Sequence, residues 1–322
     1  VLATPLVEKL KLFYPNATID FLVRKGNESL LENHPLLRNV IVFDKKNGKY
    51  KNLVSLIRTI RQHKYDYVIN AQRFFASGLM TVMSGAKQTI GFDKNPLSAF
   101  FSKKVPHHIS ANAIGDHEVK RNLSLIAHLT DDALIRPKLY PSKADFEKVK
   151  TSGPYICIAP ASVWFTKQYP KERWIDFINV VPKDYTIYLM GAKSDIPLCD
   201  EIHSLLTTHY SQIINLAGQL SFLESAALMK NASMNYVNDS APLHFASAVN
   251  APVTAVFCST VPAFGFGPLS DQSFIVETKM ELTCRPCGLH GKKECPLGHF
   301  HCSIIESNDL LATLHKSEGS PL

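Results

Sequence analysis

Asn238-Asp239-Ser240-Ala241-Pro242-Leu243-His244-Phe245-Ala246 lies between two apolar runs, residues 232–237 and 253–257. Each run has the length and composition of a buried strand. Residues 243–249 have the character of a short helix, and Asn250-Ala251-Pro252 closes it. Strand, polar loop, helix and strand make a βαβ unit, the building block of a parallel sheet. Asp239 or Ser240 suits the N-cap. Pro242 suits the first helical turn, where a missing N–H costs nothing. The helix start then presents backbone N–H groups and a positive dipole end beside a carboxylate and an imidazole. Such a place can hold a phosphate or a sugar; any capped helix of an α/β sheet offers much the same.

The same alternation runs outward from this stretch. Strands are expected at 155–159, 186–190, 213–216 and 233–237, with helices at 171–180, 196–207 and 222–230. Upstream, helices are expected at 4–14, 53–60, 74–84 and 117–129. A further short helix follows Gly26. Strands are expected at 19–23, 39–43, 65–69 and 87–92. Residues 131–152, with Pro137, Pro141 and one short helix, read as a connection. The expectation is two α/β domains, 1–150 and 151–322, with a ligand cleft between them.

With 322 residues and 45% hydrophobic content, the chain can build sizeable cores. No stretch approaches the roughly 20 apolar residues of a membrane span. The seven cysteines, an odd number, argue for a reducing compartment, so the expected location is the cytoplasm. Charge is unevenly spread. Residues 1–150 carry 24 Lys+Arg against 13 Asp+Glu; residues 151–322 carry 11 against 15. A basic half suggests an anionic partner. Lys94, Lys103, Lys104, His107 and His108, with Phe100 and Phe101 among them, suit a lipid or phosphorylated glycan surface, or a solvated loop. The opening Val1-Leu2-Ala3-Thr4-Pro5 reads as the end of a first strand and its loop, so a fragment lacking that strand is expected.

Residues 160–170 leave one expected strand and enter a helix. Ser162 and Thr166 offer hydroxyls and Lys167 a full charge, which suits a diphosphate where no Gly-rich loop is present. No Walker loop and no Gly-x-Gly-x-x-Gly occurs, which speaks against a P-loop NTPase and a dinucleotide dehydrogenase. Gly191 ends a strand in a turn that contacts a nucleotide or merely reverses the chain. Ser221 and Glu224 form a capping box. Gln72 and Arg73 follow a strand at the usual ligand edge, as acceptor contacts or solvated loop residues. Cys284, Cys287, Cys295 and Cys302, interleaved with His290, His299 and His301, read as a structural zinc pattern or as free thiols. These cysteines fall in the acidic half without a basic-aromatic reading motif, which speaks against nucleic acid.

Taken together, these motifs resemble glycosyltransferase family 9, the lipopolysaccharide heptosyltransferases. The opening five residues are similar to the end of the family's Gly-Asp-(Ile/Val)-Val-Leu-x-Thr-Pro motif. Ser162-Val-Trp-x-Thr166-Lys167-x-Tyr-Pro170 is similar to the family's donor loop. Asn238 to His244 stands where the family has Gly-Asp-Ser-Gly-Pro-x-His. The tail Cys284-x-Pro-Cys287…Cys295-Pro-x-Gly-His299…Cys302 resembles the heptosyltransferase II branch.

The resemblance implies a GT-B fold: two Rossmann-like domains facing a cleft, acceptor at the first and nucleotide-sugar at the second. It implies an inverting transfer from ADP-heptose to an anionic glycolipid, at the cytoplasmic face of the inner membrane. No metal is required in the chemical step. Lys167, Ser162 and Thr166 would hold the donor diphosphate. Asp239 would bind hydroxyls of the sugar, so Lys167 and Asp239 are the catalytic candidates. Ser240, Ala241, Pro242 and Leu243 would meet the donor, with His244 beside them. Two departures stand out: Asn238 and Ala241 replace family glycines, and the family's base, an Asp of the Gly-Asp motif, would precede Val1. A non-catalytic nucleotide-sugar or glycan-binding protein of the same fold is the alternative.

Overall fold

The computed structural model describes residues 1–110, 116–206 and 212–317. The chain divides into two compact units, one of residues 2–109 and 116–135, the other mainly of the chain from Arg136 onward.

In the first unit, α1 (Thr4–Phe13) precedes a parallel pair, β1 (Asp20–Arg24) and β2 (Asn39–Phe43). Next come α2 (Lys49–Gln62), β3 (Tyr67–Asn70), α3 (Phe75–Val82), β4 (Gln88–Phe92), β5 (Lys103–Val105) and α4 (Glu118–Ser124). Strands β3, β4 and β5 form a parallel ladder in that order. Helix α2 buries Leu53, Leu56, Ile57 and Ile60, a stripe at helical spacing, against Phe43 and Met80. It begins at Lys49, ahead of its first apolar residue, directly after the left-handed Gly48 (φ 74°). The polar first turn carries no apolar period to reveal it. Short β5 is absent from the sequence reading for a similar reason, since Lys103 and Lys104 are exposed and only Val105 is buried.

Two polar networks brace this unit. Buried Lys9 donates to the carbonyl of Ala133 at 2.7 Å and lies 2.5 Å from the Asp131 carboxylate, tying α1 to the segment after α4. Asp20 receives Arg38 at 2.5 and 3.0 Å, Asn39 at 3.1 Å and the Tyr65 hydroxyl. Burial works to raise its pKa. The bonds from Arg38, Tyr65 and Asn39 outweigh burial and hold the carboxyl at about 2.

The second unit contains α5 (Lys143–Lys148), β6 (Tyr155–Ala159), α6 (Lys171–Val180), β7 (Thr186–Leu189), α7 (Ile196–Leu206) and β8 (Ile213–Asn215). It continues with α8 (Phe222–Lys230), β9 (Met234–Asn238), α9 (Ala241–Val249), β10 (Val253–Phe257), β11 (Ser273–Glu277) and α10 (Ser307–Ser317). Its sheet is parallel throughout, in the order β11-β10-β9-β6-β7-β8. Counted within the unit this is the Rossmann order, and strand order reverses between β6 and β9. Strands β6, β9 and β10 are buried along their whole length. Ser221 and Glu224 cap α8 reciprocally, as expected.

Residues 136–150 pack on this second unit. Leu139 N–H donates to the Ala248 carbonyl, Arg136 reaches Asn250 and Asp271, and Lys148 pairs with Glu224 at 2.7 Å. These bonds put the division at Arg136 rather than near residue 150. Among the described residues no helix is long and apolar enough to cross a membrane.

Candidate active site

The loop after β6 and the loop after β9 both leave the carboxyl ends of their strands at the switch point, the usual ligand position of such a sheet. There Lys167 Nζ lies 2.7 Å from Asp239 Oδ2. Both side chains are largely shielded, with 15% and 8% of their surface exposed. Thr260 donates its hydroxyl to the same Oδ2 at 2.7 Å. A cation and a carboxylate held together in a shielded place can exchange partners: the lysine toward an anion, the carboxylate toward hydroxyls.

Asn238 fixes the two loops to each other. Its amide Oδ1 accepts from Tyr169 N–H at 2.9 Å, and its Nδ2 donates to the Pro160 carbonyl at 2.8 Å. It is fully buried. Asparagine rather than glycine here therefore fastens the loop at both ends. Tyr169 completes the anchor by donating to the Ile305 carbonyl at 2.8 Å while stacking edge-on against Trp174.

Helix α9 starts at Ala241, with Ser240 in extended conformation at the N-cap. The Ser240 hydroxyl donates to the Asn238 carbonyl at 3.3 Å rather than capping the helix. Ala241 is exposed, Pro242 is half-buried in the first turn, and Leu243 N–H donates to the Ser240 carbonyl. His244 is half-buried on the same turn, and Leu243 is in the core.

Thr166 serves the protein itself. Its buried hydroxyl receives Ser259 at 2.9 Å and Lys292 N–H at 2.8 Å, and its own N–H donates to the Lys292 carbonyl. Ser162 is half-buried, with its carbonyl held by Gln168 at 2.6 Å. Gly191 lies beyond β7. A Cβ there would meet Asp195 at 2.8 Å, so this turn needs glycine for steric reasons alone. Gln72 and Arg73 belong to the first unit, are exposed, and follow β3 directly.

The Cys-rich segment packs beside Thr166 and Lys167. Arg285 donates to the carbonyls of Cys258 (2.7 Å) and Thr260 (2.8 Å), and Cys287 N–H donates to the Ser259 carbonyl. Gly291 and Lys292 lie on Thr166 and Lys167. Among the described residues no group of three or more His, Cys, Asp or Glu is placed to hold a metal ion. The zinc expectation for Cys284, Cys287, Cys295 and Cys302 is therefore not supported. Cys302 is buried, its thiol pushed up to about 11 by that burial, and Cys287 Sγ turns to the Cys284 carbonyl. The segment braces the site through backbone and arginine bonds. Ser259, Thr260, Arg285, Gly291 and Lys292 were not identified from sequence. Each acts through a partner distant in the chain, with no local pattern to betray it.

The model of glycosyltransferase family 9 (heptosyltransferase) matches residues 53–301. The chain belongs to glycosyltransferase family 9. It is 29% identical over 279 residues to lipopolysaccharide heptosyltransferase 3 of Escherichia coli K12, covering 82% of this chain and 80% of that one. Two solved structures share the fold of this family 9 glycosyltransferase. One is E. coli ADP-heptose LPS heptosyltransferase II: TM-score 0.79, 20% identity, 98% of this chain and 95% of the other. The second is E. coli heptosyltransferase WaaC with ADP: TM-score 0.72, 16% identity, 98% and 95%. The GT-B fold expected from the motifs is thus the fold observed.

Proposed function

We propose that this family 9 glycosyltransferase moves a heptose from ADP-heptose to a lipopolysaccharide-type acceptor, with inversion at the anomeric carbon. The observation that carries the reading is the Lys167–Asp239 pair at the switch point between β6 and β9. The donor identity draws support from the solved relatives, one bearing ADP and one named for ADP-heptose.

In this reading Lys167 turns from Asp239 to the donor diphosphate, and Asp239 accepts hydrogen bonds from sugar hydroxyls. Ser162 and the start of α9, from Ser240 through Ala241, Pro242 and Leu243 to His244, flank the donor. Thr166 shapes the loop from within. Gln72 and Arg73 meet the acceptor. The acceptor oxygen forms its bond to the anomeric carbon as the bond from that carbon to the diphosphate oxygen breaks. The electron pair leaves on ADP, and the acceptor proton passes to a base. Lys167 stabilises the charge that builds on the leaving diphosphate.

Calorimetric titration of ADP, UDP and GDP tests the donor side. Selective binding of ADP, weakened about tenfold or more in Lys167→Ala, is the expected result. A preference for UDP or GDP would remove ADP-heptose as donor. Unchanged ADP affinity in the variant would remove Lys167 from the site.

A further inference from the structure

The first unit exposes large apolar side chains on neighbouring loops. Tyr50 is 76% exposed, Phe74 65%, Phe75 58% and Phe100 68%. They sit after the carboxyl ends of β2, β3 and β4. Contacts on the page draw these loops together. Lys45 Nζ stands 5.6 Å from the Phe43 ring centroid and 5.7 Å from that of Phe74, spanning the loops after β2 and β3. Asn95 Nδ2 donates to the carbonyls of Gln72 and Phe74 at 3.0 and 3.1 Å, joining the loops after β3 and β4. Phe100 ends the short helical turn that follows Asn95.

The charge around these rings has one sign. Lys45, Lys46, Lys49 and Lys51 follow one another along the β2 loop and the start of α2. The acids nearby are already committed. Asp44 is paired with Lys25 at 2.9 Å and accepts from the N–H groups of Lys46 and Asn47. Asp93 accepts from His107 N–H at 3.0 Å and has Lys94 at 3.7 Å.

The basic segment read from sequence is not itself this surface. Its Phe101 is buried, and its His107 is buried against Glu118 at 3.3 Å. Only Phe100 of its two rings faces outward.

We propose that the face formed by the loops after β2, β3 and β4 docks on an anionic lipid bilayer. Tyr50, Phe74, Phe75 and Phe100 enter the headgroup region, and the lysines of 45–51 meet lipid phosphates. Exposed rings framed by lysines are what an anionic interface recognises: apolar area gives depth, and positive charge gives attraction. Three of the rings are phenylalanines, which offer a sugar no hydrogen bond. A cavity of about 430 Å³ in this unit is lined by residues 28–40 and by none of these rings. The proposal rests on surface chemistry alone and is independent of the donor reading.

Co-sedimentation with phosphatidylcholine vesicles, with and without phosphatidylglycerol, tests it. The expected result is pelleting with the anionic vesicles only, weakened by salt. Phe74→Ser/Phe75→Ser and Lys45→Glu/Lys49→Glu should each lower the vesicle partition coefficient about tenfold or more. Circular dichroism and ADP titration of the same variants show whether fold and donor site persist. Equal pelleting with neutral vesicles would overturn the proposal. So would folded variants that pellet like the parent. A concentration-dependent dimer lost in Phe74→Ser/Phe75→Ser, without lipid binding, would assign the face to a second copy instead.

Discussion

Gly291 leaves no room for a side chain against Lys167. A Cβ at Gly291 would stand 2.8 Å from Lys167 Cγ and 3.1 Å from Thr166 Oγ1, and its φ of +74° already favours glycine. The cationic side chain of the site is thus held in place by a loop 124 positions further along the sequence. Gly291→Ala should push Lys167 aside. ADP affinity should fall about tenfold, while the thermal midpoint drops by only a few degrees. Calorimetry paired with a melting curve checks both. Unchanged affinity would mean that the loop does not position Lys167.

Thr260 acts through Asp239, supplying the hydroxyl bond to Oδ2 at 2.7 Å. Removing that donor leaves a shielded carboxylate with a lost partner, worth about 1–3 kcal/mol. Thr260→Val should therefore lower kcat/KM by about tenfold to a hundredfold, and Thr260→Ser should restore most of it. A merely structural role would show as lost stability in both variants without this rescue.

Asn238 makes its bonds to Tyr169 and Pro160 while fully buried. Asn238→Ala would orphan both backbone groups and open a small void. A loss of about 2–4 kcal/mol in urea unfolding is expected. A change below about 0.5 kcal/mol would show that water takes over these bonds.

The low pKa of Asp20 has a consequence with a definite sign. The folded value of about 2 lies below the ordinary carboxylate value of 3.8. Its contribution is therefore complete above pH 4 and disappears as pH falls from about 4 to about 2. Asp20→Asn should cost about 1–2 kcal/mol at pH 7, after allowance for the half-exposed Arg38, and the gap to the parent should close over that window. A gap constant down to pH 2 would argue that charge is not the source.

Much of this fold was written in local pattern. Residues 155–159 and 253–257 read as strands because unbroken apolar runs end at Gly, Pro or Asn signals, and both were found there. Strand β11 escaped notice. It lies at the sheet edge, with Ile275 exposed, so burial imposes little pattern on it. Helix α10 follows a Cys-, His- and Gly-rich stretch whose irregularity drew attention to metal ligands instead. Lys167 and Asp239 were legible because a motif surrounds each. Thr260, Arg285 and Gly291 were not. Their meaning is a matter of which loop they touch, and only folding brings Gly291 to Thr166 or Thr260 to Asp239.

Helix α10 lends Leu310 and Leu314 to the same core as Ile158, Trp174 and Tyr236. The Tyr236 hydroxyl donates to the Leu310 carbonyl, and Thr254 and Thr313 share a hydroxyl bond at 2.7 Å. A chain emerging from the ribosome N-terminus first has every strand of this unit available before its lid arrives. Until residues 307–317 emerge, the apolar flank of a finished sheet stays wet and open to chaperones. The first unit needs nothing beyond Ile135 to close. Synthesis thus releases the two halves of this enzyme on different schedules, and the half that carries Lys167 and Asp239 matures last.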